Sequence, residues 1–168
     1  MAGFFPLSRK AKSRDRAQAQ SDTEDTLHRS RSSGANARHP EAPLKFHKFI
    51  NMPSGSNSKT YIIYDDVSDL YVAIGNICVD ESTPGQRNVL ALEYSHDLYD
   101  WHIATLLLDY RDCSPKEVGF QYIYFIIDGD DLLYLSRTSL NGARNFHDAN
   151  YSVFHRVENF RALLAQDR

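Results

Sequence analysis

The densest set of chemistry-bearing side chains lies late in the chain: Arg137, then His147-Asp148-Ala149-Asn150-Tyr151, then His155-Arg156. An arginine can hold a carboxylate through two parallel hydrogen bonds. His147 and Asp148 are of the types that move protons, and Tyr151 can donate a hydrogen bond or attack as a nucleophile. Arg137, Asp148 and Tyr151 are therefore the candidate catalytic residues, with His147 and Asn150 as candidate ligand-binding neighbours. The same residues also suit a loop-capping network, with Asp and Asn bonding backbone amides and Arg137 neutralising an acidic neighbour. For His155 and Arg156 the structural role is the preferred reading.

Other candidates carry less. Asp128, Asp130 and Asp131 have the oxygen chemistry of a hard-cation site, although an acidic hairpin tip is ordinarily just solvated. Asp97 and Asp100 are expected to cap their own turn. Glu93 sits inside a strand and becomes notable only if it faces inward. His96 and His102 lack ligand spacing, as do Cys78 and Cys113, which are expected to be two reduced thiols. No metal site and no cofactor is expected.

These residues must be positioned by strands. From Lys45 onward the apolar runs are short and rich in β-branched and aromatic residues. Strands are expected near Thr60–Tyr64, Leu70–Ile77, Asn88–Tyr94, His102–Leu108, Tyr122–Ile127, Leu132–Arg137 and Tyr151–Arg156. The connectors carry turn chemistry, including Asp65-Asp66-Val67-Ser68-Asp69, Pro84-Gly85 and Asp128-Gly129. Only Val157–Gln166 reads as helical, from the spacing of Phe160, Leu163 and Leu164. Arg137 thus ends a strand, and the loop Asn141–Asn145 precedes the His147–Tyr151 segment. Strand ends and loops are where binding sites collect.

The facing pattern bears on architecture. In His102–Leu108, Ile103 and Leu107 should point one way, and Ala104, Leu106 and Leu108 the other. Tyr122–Ile127 is apolar or aromatic on both faces as well. Antiparallel sheets covered on both sides are what stacked propeller blades require. The expected fold is therefore all-β: about two four-stranded antiparallel blades of an incomplete β-propeller, with a two-sheet sandwich as the alternative. Lys45–Ser58 reads as a strand left from a preceding blade. Fewer than about three repeat units are seldom stable alone. The chain is accordingly expected to be a fragment, to self-associate through unpaired blade faces, or to borrow a partner.

Residues 1–44 differ in composition. They hold 8 Lys and Arg against 5 Asp and Glu, no Tyr or Trp, and 2 of the 9 Phe. Such a segment cannot bury enough apolar surface to offset its ordering entropy, so a disordered polar tail is expected there, with the folded part at 45–168. No apolar stretch follows the basic residues, so no secretory signal is expected. Nothing approaches the ~20 apolar residues of a membrane span. The acidic, aromatic-rich remainder argues against nucleic acid as a partner. Neither membrane nor nucleic acid is expected, and compartment is left open.

Ser95-His96-Asp97-Leu98-Tyr99-Asp100-Trp101 is similar to the strand-turn motif of five-bladed glycoside-hydrolase propellers and to the Asp box of sialidases. It departs from that box in having Tyr99 where the motif has Gly, and Trp101 one position early. Gly119-Phe120-Gln121-Tyr122, Gly129-Asp130-Asp131, Ser136-Arg137-Thr138 and His147–Arg156 resemble the C-terminal blades of sialidase-like proteins. The resemblance covers about residues 45–161. It implies that Arg137 is one of the three arginines holding a sugar carboxylate and Tyr151 the tyrosine nucleophile, with a carbohydrate as ligand. The blades bearing the first arginine and the acid/base Asp have no counterpart here. The expectation is thus a truncated glycoside-hydrolase propeller without independent catalysis, or a glycan- or protein-binding β module.

Overall fold

The computed structural model describes residues 29–34, 43, 45–54 and 59–164. Within them nine strands run in chain order: β1 (Arg29–Gly34), β2 (Lys45–Asn51), β3 (Tyr61–Asp65), β4 (Leu70–Asn76), β5 (Val89–Ser95), β6 (Trp101–Asp109), β7 (Gly119–Asp128), β8 (Asp131–Ser139) and β9 (Tyr151–Val157). One helical turn, α1 (Arg161–Leu164), follows.

All pairings between named strands are antiparallel, in sheets ordered β1-β2, β3-β4-β5-β6 and β7-β8-β9. The protein is all-β, an open stack of two blade-like meanders that does not close into a barrel. The second blade has three strands. Its expected fourth is replaced by a turn and α1, which send Phe160 and Leu164 into the core. Val157 ends β9 rather than starting the expected helix, and the last part of that helix, 165–166, lies outside the described residues.

Of residues 1–44, expected as a disordered tail, only 29–34 and 43 are described. Residues 29–34 form β1, which pairs with β2. The partner strand supplies those hydrogen bonds, which an apolar count does not register.

Turn chemistry matches local need. The Asp65 carboxylate accepts from the Ser68 amide and hydroxyl, at 3.3 and 2.6 Å. Gly129 takes a φ of 63° between Asp128 and Asp131, the left-handed backbone that a two-residue hairpin requires. In the Ser95–Trp101 turn, the Leu98 amide donates to Ser95 Oγ at 2.9 Å. The Tyr99 and Asp100 amides donate to Asp97 Oδ1 at 2.7 and 3.0 Å. Trp101 Nε1 closes the turn on the Leu98 carbonyl at 3.1 Å. Asp97 is thus a capping residue, and these amide bonds lower its pKa.

The main core lies between the two blades. Leu70, Val72, Ile74, Leu90, Leu92 and Tyr94 of the first meet Ile123, Phe125, Leu132 and Tyr134 of the second, with Phe160 and Leu164 at one side. Each large apolar side chain so buried contributes roughly 1.5–3 kcal/mol. The opposite face of the first blade is covered by the segment after β2. Met52 packs on Ala73 and Trp101, and Ser54 lies so close to Gly75 that an added Cβ there would be 2.3 Å from Ser54 Cβ. Every residue of β5 is consequently buried.

The expected facing of β6 needs correction. Register breaks between Leu90 and Ala91 and between Leu92 and Glu93 mark two irregularities in its pairing with β5. They put Ala104, Leu107 and Leu108 against the same core, whereas Leu106 packs elsewhere with Val89. Leu107 does not share a side with Ile103, which is exposed. An extra residue in one strand inverts the alternation beyond it.

Candidate functional site

The loop between β8 and β9 is held by its own amides and carboxamides. Asn145 Oδ1 accepts from the His147 and Asp148 amides at 2.8 and 3.2 Å, and Asn145 Nδ2 donates to Asp148 Oδ2 at 2.8 Å. Asn150 bridges to Leu140 twice: its Oδ1 accepts from the Leu140 amide and its Nδ2 donates to the Leu140 carbonyl, at 3.1 and 2.7 Å. Gln121, buried on β7, donates its carboxamide to the Phe146 carbonyl. Arg137 Nη2 donates to the His147 carbonyl at 2.9 Å. The hydrogen bonds described for Asp148, Asn150 and Arg137 are those of the capping network.

Strand register then separates the candidate catalytic residues. Arg137 lies opposite Ser152, and Thr138 lies opposite Tyr151. Cross-strand partners share a face and successive residues alternate. Arg137 therefore projects from the outer face of the second blade, and Tyr151 from the face turned toward the first. Arg137, His147 and Asp148 gather at the loop, with His147 and Asp148 exposed. Tyr151 does not converge with Arg137 on one volume.

Several of the remaining polar candidates are also engaged. His155 stacks on Tyr134, 4.4 Å between ring centroids at 12°, and burial lowers its pKa. Asp131 accepts from the Asn159 amide at 2.9 Å and from Arg156 Nε at 2.7 Å; both depress its pKa, the amide more. Asp130 meets Arg161 Nη1 at 3.2 Å. Arg161 also forks onto Asp65 with two 2.8 Å bonds, which hold that buried carboxylate down at about 2. Among the described residues no group of three or more His, Cys, Asp and Glu could hold a metal. Cys78 and Cys113 are free thiols.

Glu93 does face inward. It is wholly buried on β5, with Oε2 accepting from Ser54 Oγ at 3.3 Å and no partner for Oε1 among the described residues. Desolvation lifts its pKa to about 8, so the carboxyl is protonated at neutral pH. A group sealed under Met52–Ser54 has the character of a core acid rather than of a catalyst.

A strongly apolar surface lies uncovered among the described residues where the sequence predicts cover on both sides. The outer face of the second blade carries Tyr122, Tyr124 and Ile126 from β7, Leu135 from β8 and Phe154 from β9, between 47% and 64% exposed. Tyr124, Leu135 and Phe154 form one row across the strands. Tyr122 has a φ of 53°, beside a register break between Gln121 and Tyr124. A bulky residue in the left-handed region is strained, and such bulges re-aim side chains. Here the bulge turns Tyr122 out beside Tyr124. Lys59 Nζ and Arg137 Cζ lie 4.7 and 5.7 Å from the Tyr122 ring centre. Tyr61 joins the group 4.8 Å from Tyr124. The two-faced apolar pattern of Tyr122–Ile127 was the signal; it does not say which face a neighbour covers.

No protein-family model matches the chain, and neither a curated protein nor a solved structure matches it.

Proposed function

We propose that this chain is a non-catalytic β module of sialidase-like character that works by docking on another protein through the outer face of β7–β9. The exposed aromatic and aliphatic row on that face carries the reading. The largest contiguous apolar patch on a protein surface, ~300–600 Å², is often a functional one. Hydrolysis of a glycoside needs an acid, a nucleophile or base, and substrate-positioning groups converging on one bond. The register sends Arg137 and Tyr151 to opposite faces, and Asp148 is spent on Asn145. Purified protein is expected to leave sialosides and aryl glycosides intact. Turnover that disappears in Arg137→Ala would overturn the reading.

A second reading, glycan binding, is favoured by the groove of about 310 Å³ lined by Lys59, Thr60, Tyr61, Tyr122, Ile123 and Tyr124. Tyrosine rings suit sugar faces, and the cations beside Tyr122 suit an acidic sugar. Binding on a glycan array that Tyr124→Ala removes would favour this reading over the first.

A further inference from the structure

We propose that the protein docking on this face is a second copy of the chain, the two outer faces packing together about a two-fold axis that runs across the strands. The inference rests on the docking reading and names its partner.

Area is the first support. At about 150–250 Å² for a whole aromatic side chain, the half-exposed Tyr122, Tyr124 and Phe154 with Ile126 and Leu135 leave on the order of 500 Å² of apolar surface in one patch. With the polar groups at its borders the face approaches the ~800 Å² per partner of a stable interface.

Charge selects the partner and the geometry. Lys59 and Arg137 collect at the Tyr122 end of the face. Asp128 and Asp131 lie at the hairpin end, where Asp131 already holds Arg156. Asp128 shares the outer side with Tyr124 and Ile126 by alternation. A face positive at one end and acidic at the other complements itself only when reversed. A two-fold axis along the strands would set arginine on arginine. An axis across them, between the levels of Leu133 and Leu135, sets Leu135 on the partner's Leu133 and Tyr124 on the partner's Ile126. Arg137 then lies over the partner's Asp131, which Arg156 already holds, and one strand spacing, about 4.8 Å, from the partner's Asp128, within reach of its long side chain. Such an isologous contact uses one patch twice and closes at the dimer.

Sedimentation of the full chain across concentrations up to about 100 μM tests the pairing. A reversible dimer is expected. Arg137→Asp and Asp128→Arg should each weaken it at least about tenfold, and the double swap should restore it, since each copy then regains an opposite partner. Leu135→Glu should give a monomer, with a melt matching wild type at dilutions where wild type is also monomeric showing that it folds. A wild-type monomer at the highest concentration, or a dimer indifferent to both charge swaps, overturns the proposal. A monomer without glycosidase turnover overturns the two-fold pairing alone, whereas turnover lost in Arg137→Ala overturns the docking reading beneath it.

Discussion

Replacing Glu93 by glutamine should flatten the pH dependence of stability. Glu93 is fully buried, and its carboxyl pKa moves from 4.5 up to about 8, chiefly through desolvation. The unfolded chain ionises near the lower value, while the folded chain keeps its proton until the higher one. The folded state therefore binds more protons across this window. Its contribution is complete below the unfolded pKa and is lost as pH rises through about 8. The slope is about 1.4 kcal/mol per pH unit, or roughly 4 kcal/mol between about pH 5 and pH 8. Glutamine keeps the volume and can still accept from Ser54 Oγ, but it does not titrate. Its amide needs a partner in a tight site, which costs about 1–3 kcal/mol if none is found. Glu93→Gln should thus match or fall below wild type near pH 5 and gain on it steadily toward pH 8. Urea unfolding followed by the fluorescence of Trp101, the single tryptophan, reads both curves. Curves that stay parallel across that range would refute the argument.

Two further variants probe the joints between elements. Arg161→Ala leaves the buried Asp65 carboxylate without its forked partner, and should cost about 3 kcal/mol in urea unfolding at neutral pH. Because the Asp65 pKa is lowered to about 2, its contribution holds above the usual carboxylate value and fades as pH falls toward about 2. The difference between wild type and Arg161→Ala should shrink in acid accordingly. Gly75→Ala should cost about 1–3 kcal/mol by forcing Ser54 off the first blade. Adding Ser54→Gly should recover part of that loss, whereas a lone Gly75→Ala as stable as wild type would contradict the close approach.

The strands of both blades were legible because β-branched and aromatic runs alternate with strong turn residues, and turns are decided locally. Tyr61–Asp65, Leu70–Asn76 and Val89–Ser95 lie within a residue or two of their expected bounds. The Ser95–Trp101 turn was equally readable, since Asp97 caps amides within three residues of itself. β1 was not, because its partner is β2 and its own residues have little apolar content. The candidate site was half legible. The polar cluster at 137–151 exists, but types and spacing could not show that Asn145 and Leu140 consume its hydrogen bonds.

By itself the sequence determined an all-β chain of short meanders, the positions of its turns, and an apolar pattern on both sides of Tyr122–Ile127. Tertiary structure decided what each face meets. It sealed Glu93 beneath Ser54, turned Leu107 toward the core across the irregular register of β6, and put Arg137 and Tyr151 on opposite faces of one sheet. It also left Tyr124, Leu135 and Phe154 uncovered among the described residues. The reason is that alternation has a period of two residues and is local, whereas cover comes from segments far along the chain. A single extra residue in a strand exchanges one face for the other.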